Sequence, residues 1–86
     1  MPTPRRVIVL GSTGSIGVNT LKVIAHLNRL QPGSYQVVGL AAGRRAGELV
    51  AQAQAHGVST VALADATAAA QVRSALPGAR VLAGPD

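Results

Sequence analysis

Apolar residues fall in short blocks separated by longer stretches of helical spacing. Arg5 to Leu10 contains the run Val7-Ile8-Val9-Leu10 and predicts a first strand. Such an unbroken run suggests burial on both faces, and so a central strand. From Ser15 to about Arg29, running out at Leu30, the spacing predicts a helix. Ile16, Thr20, Val23, Leu27 and Leu30 share one face, which Leu21 and Ile24 widen, while Lys22, His26 and Arg29 lie largely outside it. Gln31-Pro32-Gly33-Ser34 stops that helix and turns the chain.

Tyr35 to Ala42 predicts a second strand ended by Gly43, and Ala46 to His56 a second helix with Gly57 at its C′ position. Val58 to Ala64 predicts a third strand. Asp65 stands as the N-cap of an Ala-rich helix that continues to about Ala75. Leu76-Pro77-Gly78 breaks it, and Arg80 to Ala83 begins a fourth strand. Met1 to Pro4 reads as a short leader, and the sequence closes on Gly84-Pro85-Asp86. The order βαβαβα(β) predicts an α/β, Rossmann-like parallel sheet with right-handed crossovers, one mononucleotide-binding half of a doubly wound fold. At 86 residues the ceiling is one domain. The expectation is a truncated domain over residues 1–86, marginally stable because its sheet ends at an unpaired edge.

Between the first strand and first helix lies Gly11-Ser12-Thr13-Gly14-Ser15-Ile16-Gly17. Strand, glycine turn and helix together present backbone N–H groups to a phosphate. Gly11 is expected to permit the tight exit from the strand, Gly14 to let backbone approach a pyrophosphate, and Gly17 to remove a side chain where helix and strand touch. Amides from about Thr13 to Ile16 would face the ligand, with the Ser12, Thr13 and Ser15 hydroxyls adding hydrogen bonds. The spacing is GxxGxxG rather than GxGxxG, and a tight connection with a Ser N-cap and no ligand would leave a similar trace. Its position on the first strand of a βαβ unit favours dinucleotide binding. No Lys-Ser/Thr pair closes the turn, so it is not a Walker A loop.

The end of the second strand discriminates between cofactors. An Asp or Glu there would bond a ribose 2′-OH, whereas arginine accommodates a 2′-phosphate. Ala41-Ala42-Gly43-Arg44-Arg45 offers guanidinium groups and no acid before Glu48, which favours NADP(H) over NAD(H). Of the two arginines, Arg45 is the one more readily read as merely solvated.

Composition narrows the remaining classes. The net charge is +5, but the basic residues are mostly single, and Tyr35 is the only aromatic, so a nucleic-acid surface is disfavoured. There is no cysteine for a disulfide or thiolate metal site, which fits a cytoplasmic protein. Val7 to Leu10 is too short for a signal-peptide core, and no apolar run approaches a membrane span. His26 and His56 are expected to be surface or half-buried, Arg5 and Arg6 to flank the strand in solvent. Glu48, Asp65 and Asp86 have no metal-site spacing, and no acid–base pair or nucleophile constellation appears. The reading is of a cofactor module without a catalytic centre.

The strand leading into Gly-Ser-Thr-Gly-Ser-Ile-Gly, the Ala-Ala-Gly-Arg after the second strand and the later Val-Ala-Leu-Ala-Asp closely resemble the N-terminal portion of the 1-deoxy-D-xylulose 5-phosphate reductoisomerases. The resemblance extends over essentially the whole chain but only over the leading portion of a much longer enzyme. It implies NADPH contacts from Thr13, Gly14, Ser15, Ile16, Gly43 and Arg44; Arg45 stands where the family usually has Asn. It implies rearrangement of 1-deoxy-D-xylulose 5-phosphate and its reduction to 2-C-methyl-D-erythritol 4-phosphate in non-mevalonate isoprenoid synthesis. It further implies a divalent metal (Mg or Mn) and a homodimer for the full-length enzyme, with the metal ligands, substrate-phosphate site and lid in later parts of the chain. These 86 residues alone are accordingly expected to be inactive on the sugar phosphate. Other readings are a semialdehyde dehydrogenase or an extended short-chain reductase, marked downstream by a catalytic Cys or a Tyr-x-x-x-Lys pair. A non-catalytic NADP-sensing module and, last, a nucleic-acid binder complete the set.

Overall fold

The computed structural model describes residues 3–84. Met1 and Pro2 of the predicted leader, and Pro85 and Asp86, lie outside the described residues. The element order is β1 (Arg5–Leu10), α1 (Ser15–Leu30), β2 (Tyr35–Ala42), α2 (Ala46–His56), β3 (Thr60–Leu63), α3 (Ala66–Ala75) and β4 (Arg80–Ala83).

The local signals act as their chemistry requires. Gly57 closes α2 with φ 65°, the left-handed conformation that glycine adopts without strain. The Asp65 carboxylate accepts from the Ala68 N–H at 2.9 Å and caps α3. Asn28, near the end of α1, pairs its side-chain amide with both backbone groups of Tyr35, each bond 2.9 Å, and so fixes where β2 begins. β3 is shorter than the predicted Val58 to Ala64, because its pairing with β2 covers only Val61 to Leu63 opposite Leu40 to Ala42. Val58 instead donates its N–H to the Ala53 carbonyl and packs in the core.

All neighbouring strands are parallel and the sheet order is β1-β2-β3-β4. Right-handed crossovers that step repeatedly in one direction set their helices on one face. The core is built accordingly. Leu21 and Ile24 of α1, Leu49 and Ala53 of α2, and Ala68, Ala69 and Val72 of α3 meet Val9, Val37, Leu40, Val61 and Leu63 in one buried cluster. Each fully buried Leu or Val side chain contributes about 1.5–3 kcal/mol of transfer free energy.

This order corrects two expectations. Among the described residues β1 stands at the edge of the sheet rather than in its centre: Val9 is buried, but its neighbours Ile8 and Leu10 are 64% and 78% exposed. β4 steps beyond β3 rather than back across β1, so among the described residues nothing pairs with the outer edge of β1. The helix α1 also turns a different face inward. Its buried positions are Gly17, Leu21 and Ile24, while Ile16, Val23 and Leu30 are exposed. Contact between Gly17 and the turn before it sets that rotation, as the site geometry makes plain.

Candidate functional site

Leu10 of β1 lies opposite Ala41 of β2, and Ala42 opposite Leu63 of β3. The glycine turn and Gly43-Arg44-Arg45 therefore leave the same end of the sheet from neighbouring strands. Ligands of open α/β sheets bind at the carboxyl ends of strands, and here both predicted binding segments arrive there together.

The turn is held from below. The Ser12 N–H donates to the Ala41 carbonyl at 2.9 Å, and the Gly14 N–H closes the turn on the Gly11 carbonyl at 3.0 Å. The first bond onto α1 runs from the Val18 N–H to the Gly14 carbonyl at 2.9 Å. Gly14 is the N-cap residue and no side chain caps the helix. The N–H groups of Thr13, Ser15, Ile16 and Gly17 thus find no acceptor among the described residues. No acidic side chain occupies the first turn, so the positive end of the helix dipole is not offset locally. Ser15 is thus the first residue of the helix and not its cap.

Each glycine has its own reason, and some differ from those expected. Gly11 is required by its φ of 64°; an added Cβ there would meet nothing within 4 Å. Gly17 is required by space. A Cβ would fall 2.2 Å from the Gly11 carbonyl oxygen and 2.6 Å from Ser12 Cα, so the helix touches the turn's own backbone rather than the strand. Gly14 is required by neither: its φ is −78° and a Cβ would lie at an ordinary 3.4 Å from the nearest atom. The fold tolerates a side chain at Gly14, and its absence leaves an open cradle beside unclaimed amides. Gly43 is likewise uncrowded.

Two details depart from the expected anion site. The Gly14 amide is consumed by the turn, so the unpaired set is Thr13, Ser15, Ile16 and Gly17 rather than a continuous run, with Thr13 and Gly17 themselves buried. The Ser12 hydroxyl is fully buried and cannot reach a surface ligand, whereas Ser15 is exposed. Ile16, 82% exposed beside the amides, offers an apolar surface at the mouth of the turn.

Arg44 and Arg45 are both exposed. Arg45 lies 3.6 Å from Glu48, an exposed pair of small energetic consequence, while Arg44 has no ion pair among the described residues. Asp65 is engaged as the cap of α3, His26 is exposed and His56 half-buried, all as expected. A groove of about 820 Å³ lined by Thr3 to Arg5 and Gln31 to Tyr35 lies at the opposite end of the sheet, away from this chemistry. Sequence reasoning missed Gln52 of α2, whose side-chain amide donates to the Ser12 carbonyl at 2.7 Å. Helical spacing marks it only as a polar position, and nothing local links it to a turn forty residues away.

Among the described residues no three His, Asp or Glu side chains gather as a metal site, and no helix is long and apolar enough to cross a membrane. Relatives supply the wider context. The curated 1-deoxy-D-xylulose 5-phosphate reductoisomerase of Rhodococcus jostii is 51% identical over 84 residues, covering 96% of this chain and 19% of its own. A solved reductoisomerase from Zymomonas mobilis in complex with NADPH superposes with TM-score 0.79 at 35% identity, covering 94% of this chain and 21% of that one. Another, a DOX-P reductoisomerase in complex with magnesium, gives TM-score 0.79 at 26% identity over 95% of this chain and 20% of that one. The chain spans about a fifth of the length of the curated relatives it matches. A family model for 1-deoxy-D-xylulose 5-phosphate reductoisomerase matches residues 7–86, from the middle of β1 onward. With that match and the shared fold, the chain belongs to the 1-deoxy-D-xylulose 5-phosphate reductoisomerase family.

Proposed function

We propose that residues 1–86 form the N-terminal part of an NADPH-binding domain, and that the protein containing them reduces and rearranges 1-deoxy-D-xylulose 5-phosphate. The observation that carries this reading is the set of unclaimed N–H groups at Thr13, Ser15, Ile16 and Gly17, next to a glycine that the fold does not require. A pyrophosphate would accept from those amides at the positive end of α1, and Gly11 and Gly17 hold the turn in that shape. Gly43 and Arg44, at the end of the neighbouring strand, would receive the adenosine end, with the Arg44 guanidinium on the 2′-phosphate. Arg45, already beside Glu48, would contribute less.

NADPH supplies hydride for the reduction. The described residues would bind and orient the cofactor, while the family resemblance assigns the carboxylates for the divalent metal and the sugar-phosphate site to later parts of the family's chain. The family resemblance extends the reading to a cytoplasmic homodimer that uses neither nucleic acid nor membrane. The test is calorimetric titration of wild-type and Arg44→Ala chains with NADPH and NADH. Arg44→Ala is expected to weaken NADPH by well over tenfold and to leave NADH nearly unchanged, consistent with loss of a charge-assisted contact. Equal losses for both cofactors would remove Arg44 from the 2′-phosphate site.

A further inference from the structure

Gln52 belongs to no motif of the sequence, yet it is the side chain that grips the glycine turn from outside. Resting on the NADPH reading above, we propose that Gln52 is a positioning residue for the cofactor's pyrophosphate, acting through the Ser12–Thr13 peptide. Only its Nε2 can donate to a carbonyl, so the 2.7 Å contact with the Ser12 oxygen fixes the orientation of the side-chain amide. The chain contains no cis peptide bond among the described residues. In a trans peptide the C=O and N–H point in opposite directions. Holding the Ser12 carbonyl toward α2 therefore aims the Thr13 N–H away from α2, and that N–H is one of the unclaimed donors of the turn.

Ser12 is then held at both ends, by Ala41 through its N–H and by Gln52 through its carbonyl. The Ser12 N–H belongs to the preceding peptide, so with Gln52 removed the Ser12–Thr13 peptide keeps no hydrogen bond of its own and can rotate, taking the Thr13 donor off the phosphate. Gln52 Oε1 and Ser12 Oγ are both buried without a partner among the described residues, an arrangement that is unfavourable to folding. An apolar side chain of similar length would remove the unpaired Oε1 but would leave the buried Ser12 carbonyl without its donor.

Gln52→Glu keeps the shape and loses the donor at neutral pH; Gln52→Met keeps the length and introduces no charge. Both are to be titrated with NADPH, NADH and adenosine 2′-monophosphate, which carries the 2′-phosphate but no pyrophosphate. Each variant is expected to lose about tenfold in affinity for NADPH and for NADH alike, the scale of one ligand-directed hydrogen bond. Adenosine 2′-monophosphate should bind as it does to the wild type. Should Gln52→Glu fail to fold, Gln52→Met decides alone. Unchanged NADPH affinity in Gln52→Met overturns the proposal, and so does an equal loss for adenosine 2′-monophosphate, which marks a structural role. A wild-type chain that binds no dinucleotide overturns the cofactor reading itself, and this proposal with it.

Discussion

The glycine at position 17 separates packing from helix propensity within one experiment. Replacing Gly by Ala in a helix interior favours folding by about 1 kcal/mol through propensity alone. Position 47, in the first turn of α2, has nothing within 4 Å of where an added methyl would sit, so Gly47→Ala should keep much of that gain, about 0.5 kcal/mol. Position 17 is different. Its Cβ would stand 2.2 Å from the Gly11 oxygen, 2.6 Å from Ser12 Cα and 2.9 Å from the Gly11 carbonyl carbon. All are backbone atoms of a turn pinned by the Ser12–Ala41 and Gly14–Gly11 bonds, so no flexible side-chain end can yield. Overpacking of this kind costs about 3 kcal/mol, leaving Gly17→Ala less stable by about 2 kcal/mol after the propensity gain. A domain of this size changes its melting temperature by about 4–8 °C per kcal/mol. Thermal and urea unfolding followed by circular dichroism should then place Gly17→Ala about 8–16 °C below the wild type and Gly47→Ala a few degrees above it. A Gly17→Ala chain as stable as the wild type would refute the packing reasoning, and with it the explanation of how α1 is rotated.

Two further substitutions test the site and the frame separately. Gly14→Ala meets no crowding and an ordinary φ, so its stability should stay within about 0.5 kcal/mol of wild type while NADPH affinity, measured by fluorescence titration, falls at least tenfold. Asp65→Ala removes the bond to the Ala68 N–H and should cost about 1 kcal/mol in urea unfolding, with NADPH affinity unchanged.

Much of the fold is legible in the sequence because its punctuation is chemical. Gly57 stops α2 by adopting a left-handed conformation, and Asp65 starts α3 by capping it; both act through a few adjacent residues. What depends on distant partners is not legible. The run Val7-Ile8-Val9-Leu10 looks the same whether its second face is covered or open, and strand order, which decides this, is set by where β4 pairs. Periodicity along α1 admits more than one inward face, and the choice falls to the contact of Gly17 with Gly11 and Ser12. At the site, the glycines and Arg44 stand out by residue type and position. Which amides remain free is a matter of the turn's own hydrogen bonds, and the grip of Gln52 on Ser12 exists only once α2 is folded against the turn.

The central claim is that the open end of α1 and Arg44 together make an NADPH site. Calorimetric titration of the wild-type chain with NADPH and, separately, with NADH tests it most directly. The account predicts saturable binding at one site per chain, tighter for NADPH than for NADH by at least about tenfold, the worth of a charge-assisted contact to the 2′-phosphate. No saturable heat with NADPH, or equal affinity for the two cofactors, would contradict it.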